Sequence, residues 1–179
     1  MEVETAITRR RSCRAYRTDT VPRDLIDRVL KAARLAPSAC NRQPWRFAVV
    51  TDATLRQKIV SDGFGPGLAM PWAAAASVLI VLGMQRTLVV HRLAALFSRV
   101  DYPWIDIGIA GEHLVLQAEA LGLGTCWIGW IQPTRLRALV GWPRTIRPAA
   151  VLTLGWPADA DAPSPRTPRK DMAELVTWM

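Results

Sequence analysis

Short apolar runs of strand length alternate with helix-patterned segments along the whole chain, and this alternation limits the fold more than any other feature. In residues 3–10, Val3 and Ile7 stand four apart, as one helix face requires. A longer helix opens at Thr20-Val21-Pro22, because Pro suits a first helical turn and Asp24 sits near the positive end of the dipole. Leu25, Ile26, Val29, Leu30 and Ala33 give it an apolar face, and Pro37 stops it. Residues 36–45 read as a loop from their Pro, Ser and Asn content. Phe47 to Val50 reads as a buried strand, and Asp52 as the cap of a helix reaching about Val60. GFGPG at 63–67 reads as a flexible loop, Ser77 to Leu82 as a second buried strand, and residues 85–103 are ambiguous. A long helix is expected from Trp104 to Leu121, with Gly122 as its stop. Thr125 to Ile128 follows as a short strand, Pro133 to Val140 as a short helix and Ala149 to Leu154 as a strand. The tail from Pro157 is rich in Pro, Asp and Ala and ends in the more ordered-looking AELVTWM. There are no internal repeats. A sheet covered by helices is implied, with the pairing directions left open.

The length of 179 residues suits one domain, spanning 1–179, and is too short for two large ones. Half of the residues are apolar and eight are Trp, which favours a packed core over disorder. The longest apolar run, Trp72 to Met84, falls short of the roughly 20 residues of a spanning helix, so no membrane association is expected. The N-terminal MEVETAITRRR begins with acids and lacks an apolar stretch, so no signal peptide is read there and the cytoplasm is the expected location. Three cysteines (Cys13, Cys40, Cys126), widely spaced and without a CxxC, and two histidines (His91, His113) argue against a zinc site and a structural disulfide. The net charge is +8, and only three of the 23 basic residues are Lys. Apart from a knot at Arg9 to Arg17 the arginines are scattered, and no nucleic-acid-binding signature accompanies them. A solvated basic surface is expected, not a nucleic-acid partner.

Three motifs bear on chemistry. GLGTCWIG at 122–129 has glycines near a strand, but a dinucleotide site needs a strand before the glycines and a helix after them. Here the order is reversed, so Gly122 and Gly124 are read as a helix stop and a tight turn. Arg10-Arg11-Ser12-Cys13-Arg14 combines guanidinium and hydroxyl donors that match phosphate oxygens; a solvated basic turn would have the same composition. APSACNRQPW at 36–45 places the Asn41 and Gln43 amides, each a donor and an acceptor, on one loop. They suit a flat heterocycle, or simply the nearby backbone. GxSxG, HExxH and a P-loop are absent, and His113 reads as a packed, hydrogen-bonded histidine. A chain with anion and ring sites but no evident acid–base set is one in which a cofactor carries the chemistry.

Together these pieces resemble the nitroreductase family of flavoproteins. Arg10 to Tyr16 is similar to its RRSxRxF/Y element and Ala36 to Phe47 to its APSxxNxQPWxF element. The stretch from Asp106 through Ala120 to Gly129 is similar to its long central helix and following strand. Pro168-Arg169-Lys170 with Glu174-Leu175-Val176 is similar to its closing segment. The order and spacing fit nearly end to end, except for about 60–103. The resemblance implies an α+β fold with a central mixed sheet flanked by helices, and a homodimer with two FMN sites at its interface. It implies that Arg10, Ser12 and Arg14 hold the FMN phosphate and ribityl, with Arg14 also near the pyrimidine edge, that Arg11 makes a further contact, and that Arg169 is a second phosphate ligand. Pro37, Ser38, Ala39 and Asn41 match a loop that reaches the flavin from the partner subunit. Ile128, Gly129 and the adjoining Trp130 match the turn beside the isoalloxazine ring. Ala39 departs from members with a second Ser, and Gly129 from members with an acid. The implied reaction is ping-pong: NADH or NADPH donates a hydride to flavin N5 and leaves, and a small acceptor such as a nitroaromatic or quinone then takes the electrons. No side chain is implied as a nucleophile. Dehalogenation, flavin fragmentation and dehydrogenation are the other reactions this resemblance implies.

Overall fold

The structure is a computed structural model and describes residues 1–67, 69–85, 101–158 and 167–179. The elements in order are α1 (Val3–Arg9), α2 (Arg23–Arg34), a single turn at Ala39–Asn41, β1 (Trp45–Val50), α3 (Ala53–Lys58), which widens into a π-type turn at Ile59–Gly63, α4 (Trp72–Ala75), β2 (Val78–Gln85), α5 (Tyr102–Ala120), β3 (Gly124–Ile128), α6 (Pro133–Leu139), β4 (Ile146–Gly155) and α7 (Met172–Leu175). Local chemistry sets several ends. Asp52 Oδ1 accepts from Leu55 N at 2.7 Å and opens α3. Gly122, at φ +76, turns the chain out of α5. A capping box of Asp171 and Glu174 starts α7.

Among the described residues four strands form one sheet in the order β1-β2-β4-β3, with every neighbouring pair antiparallel. This corrects the expectation of a mixed sheet. Helix α5 does carry the chain so that β3 runs parallel to β2, but β4 then inserts between them in the opposite sense. The parallel contact among the described residues is a single bridge, Ser12 to Thr125, outside the named strands.

Both faces of the sheet are covered. Val78, Ile80, Leu82, Leu152 and Leu154 pack with Ile26 and Val29 of α2 and Ile107, Leu114 and Ala118 of α5. The intervening Leu79, Val81, Val151 and Ile128 pack with Ile59, Phe64 and Leu136 on the other face. Alternate strand residues therefore enter different cores, which is why β2 reads as an unbroken apolar run. Pro148 lies inside β4, opposite Gly83 where the register shifts. A bulge tolerates a proline that a regular central strand would exclude, so β4 extends upstream of the expected Ala149. GFGPG is also less free than a flexible loop: Phe64 is buried, and Gly65 N donates to Trp130 O at 2.8 Å. His113 is half-buried on α5; His91 and most of the ambiguous 85–103 stretch lie outside the described residues.

Candidate functional site

The Arg10–Arg14 segment leaves α1 extended and lies along the free edge of β3. Cys13 N donates to Thr125 O at 2.8 Å, which fixes the register. The fit is close because Gly124 has no side chain: a Cβ there would stand 2.6 Å from Cys13 Sγ. In an extended segment alternate side chains share a face. Accordingly the Ser12 hydroxyl and the Arg14 guanidinium both reach the Cys126 thiol, with the charge of Arg10 nearby. Burial pushes that thiol up from its ordinary value, against the pull of Arg14, Ser12 and Arg10. Arg10 Nε is also 3.8 Å from Glu112 Oε1 on α5, and the Arg14 guanidinium lies 5.9 Å from the Trp72 ring centroid. Behind the cluster, the Tyr16 hydroxyl donates to Cys13 O at 2.7 Å and meets Thr153 Oγ1 at 2.6 Å. Burial pushes that phenol far up. Three donors thus stand together over a neutral, buried floor, a donor set whose chemistry matches phosphate oxygens.

The structure places the other candidates differently. Arg11 lines a small cavity with Arg9, Cys13, Glu119 and Gly122. Pro37, Ser38, Ala39 and Asn41 lie in a turn that is largely self-bonded. Asn41 N donates to Ser38 O, Gln43 N to Ser38 Oγ at 2.9 Å, and Gln43 Nε2 to Asn41 Oδ1 at 3.1 Å. The turn meets α5 through Ala39 N, which donates to Asp106 Oδ1 at 3.1 Å. Ile128 is buried in the core, whereas Gly129 is exposed and has open space where a Cβ would stand. Beside it Trp130 is 55% exposed, its indole N–H bonded to Pro66 O. Arg169 Nη1 donates locally to Thr167 O at 3.2 Å, a contact that does not tie it to the Arg10–Arg14 segment. Three residues not anticipated from the sequence join the site: Cys126, Trp72 and Asp106. Of these only Asp106 left a signal, as a lone acid in the apolar run YPWIDIGIAG.

The nitroreductase family profile matches residues 7–65 and 65–156. The chain is 31% identical to an NADH dehydrogenase of Thermus thermophilus, over 99% of this chain and 96% of that protein. It is 29% identical to an FMN reductase [NAD(P)H] of Bacillus subtilis, over 99% and 75% respectively. A nitroreductase family protein of Clostridium novyi superposes with a TM-score of 0.79 at 26% identity, covering 92% of this chain and 89% of that one. Family and fold agree: the chain belongs to the nitroreductase family and is a flavin oxidoreductase.

Proposed function

We propose that the protein binds FMN and passes electrons from NADH or NADPH to a small acceptor, a nitroaromatic, a quinone or a similar compound, in ping-pong order. The observation that carries this reading is the convergence of Arg10, Ser12 and Arg14 at the β3 edge, on the strand that leads to Ile128 and Gly129. FMN, when bound, supplies the two-electron chemistry; the chain supplies binding and orientation. Arg10, Ser12 and Arg14 hold the phosphate and ribityl, with Arg11 as a further contact. Arg169 arrives from the tail as a second phosphate ligand. The backbone at Ile128 and Gly129 flanks the ring, the Ile128 side chain staying in the core, and the open space at Gly129 leaves a planar acceptor room to approach. Positive charge around the site favours an electron-rich bound ring.

The working form is a homodimer with two composite sites, each using the 36–43 loop of the other protomer, and the chain 1–179 acts as one FMN-binding domain. Exposed Tyr102 and Ile105 (50%) beside an exposed Gly108 form a stripe on α5 without a partner among the described residues, and Met172, Leu175 and Trp178 stand out from the tail. Such apolar surface is ordinarily covered. Purified protein is expected to be yellow, or to become so with FMN at near one per subunit, and to turn over with NADH or NADPH and a nitroaromatic or quinone. Reconstitution followed by gel filtration that leaves all flavin in the small-molecule fraction would refute this reading.

A further inference from the structure

Asp106 is an anomaly for which the proposed chemistry has no use. Its carboxylate is 3% exposed, inside an apolar stretch of α5. Oδ1 accepts from Ala39 N at 3.1 Å, and Oδ2 is buried with no hydrogen-bond partner among the described residues. A buried carboxylate with one oxygen unpaired is costly. Its described contact is with a turn that is itself strained: Cys40, Asn41 and Gln43 adopt φ of 53, 53 and 50. Residues with a Cβ visit that region uncommonly, and three so close together persist only where the surroundings impose them. Among the described residues the other bonds of the turn are internal, apart from Gln43 O, which accepts from Arg46 Nη1 at 3.3 Å, and Pro44 O, which accepts from Gln85 N; both lie at the end of the turn away from Ala39.

We infer that Asp106 is a positioning residue for the cofactor site, the tether that holds the 38–43 turn in the conformation presented to the FMN of the other protomer. This rests on the FMN-binding dimer proposed above. Ser38, Ala39 and Asn41 meet the ring; Asp106 touches neither ring nor phosphate and acts through the Ala39 N–H. Without it the strained turn relaxes, and apparent affinity falls by the fraction of chains still in the competent form.

Three readouts separate this role from a merely structural one. Asp106→Leu removes the acceptor together with the unpaired oxygen, so the apo-protein's melting temperature is expected to hold or rise, while FMN affinity falls by about ten- to a hundredfold. Riboflavin affinity falls by the same factor, because the turn serves the ring and not the phosphate. Asp106→Asn keeps an acceptor for Ala39 N and is expected to recover most of the affinity; it also serves if the Leu variant does not fold. The decisive experiment mixes Asp106→Leu with Arg14→Ala protomers after dissociation and reassociation, titrating FMN by fluorescence. A heterodimer then holds one intact site, from the anion cluster of one protomer and the turn of the other. A tight-binding fraction that neither variant shows alone is the expected result. Failure of the mixture to regain it, or wild-type affinity in both Asp106 variants while Arg14→Ala binds weakly, overturns the inference. If wild-type protein itself binds no FMN, it is the underlying reading that fails.

Discussion

Arg14 is placed before any anion arrives, between the Cys126 thiol and the Trp72 indole. Much of the rotamer entropy that a flexible side chain loses on binding is therefore already spent in the apo-protein. Arg169, bonded only to its neighbour's carbonyl among the described contacts, must still be ordered. A hydrogen bond to a charged group is worth roughly 1.5–3 kcal/mol, so Arg14→Ala and Arg169→Ala are each expected to raise the FMN dissociation constant by about one to two orders of magnitude. The apo-protein's melting temperature should move little for Arg169→Ala and slightly more for Arg14→Ala, which also loses its stacking on Trp72. Riboflavin is the control: Arg169→Ala should leave its binding nearly unchanged. Fluorescence titration with both flavins checks this, and unchanged FMN affinity in both variants removes the phosphate site. The Arg and Ser donors were legible in the sequence because guanidinium–hydroxyl clustering is a local pattern. Cys126 and Trp72 were not, because they meet Arg14 only after β3 and α4 are brought to the same edge.

At the scale of elements, α2 and α5 contrast. Helix α2 segregates its apolar residues onto one face, whereas α5 has apolar residues all round. A helix of that kind is one whose outside is also covered. Ile105→Glu, on the exposed stripe, is expected to give a folded monomer with weakened FMN binding. Light scattering with and without FMN tests it, and a dimer of unchanged affinity would count against α5 as the interface. Helix and strand positions were read well from the sequence, since caps and breakers such as Asp52, Gly122 and Pro37 act locally. The misplaced ends have local causes of their own. β4 begins at Ile146 because Pro148 sits at a bulge, and the GFGPG loop is anchored because Trp130, far along the chain, fills the space over Gly65.

For the whole molecule, the proposed cofactor and dimer are linked. A ligand that binds only the native state adds stability that grows with its concentration, about 2.7 kcal/mol at one hundred times the dissociation constant. The melting temperature is therefore expected to rise with added FMN, and also with protein concentration, as unfolding of a dimer requires. Calorimetry over a range of both concentrations checks it, and a midpoint indifferent to protein concentration speaks against the dimer. Strand directions were beyond the sequence: the apolar runs mark β1 and β2 as buried strands, which holds for β2 on both faces but not for the half-exposed edge strand β1, and they do not say which way neighbours point. The insertion of β4 between β2 and β3 has a consequence for biosynthesis. During synthesis β1 can pair with β2 as soon as both have emerged, but β2 then keeps an open edge, and β3 has no strand to join until residues 146–155 leave the ribosome. The sheet is closed by the last of the described strands to be made, so the nascent chain carries the open apolar edge of β2 until β4 emerges, joined late in that interval by an unpaired β3.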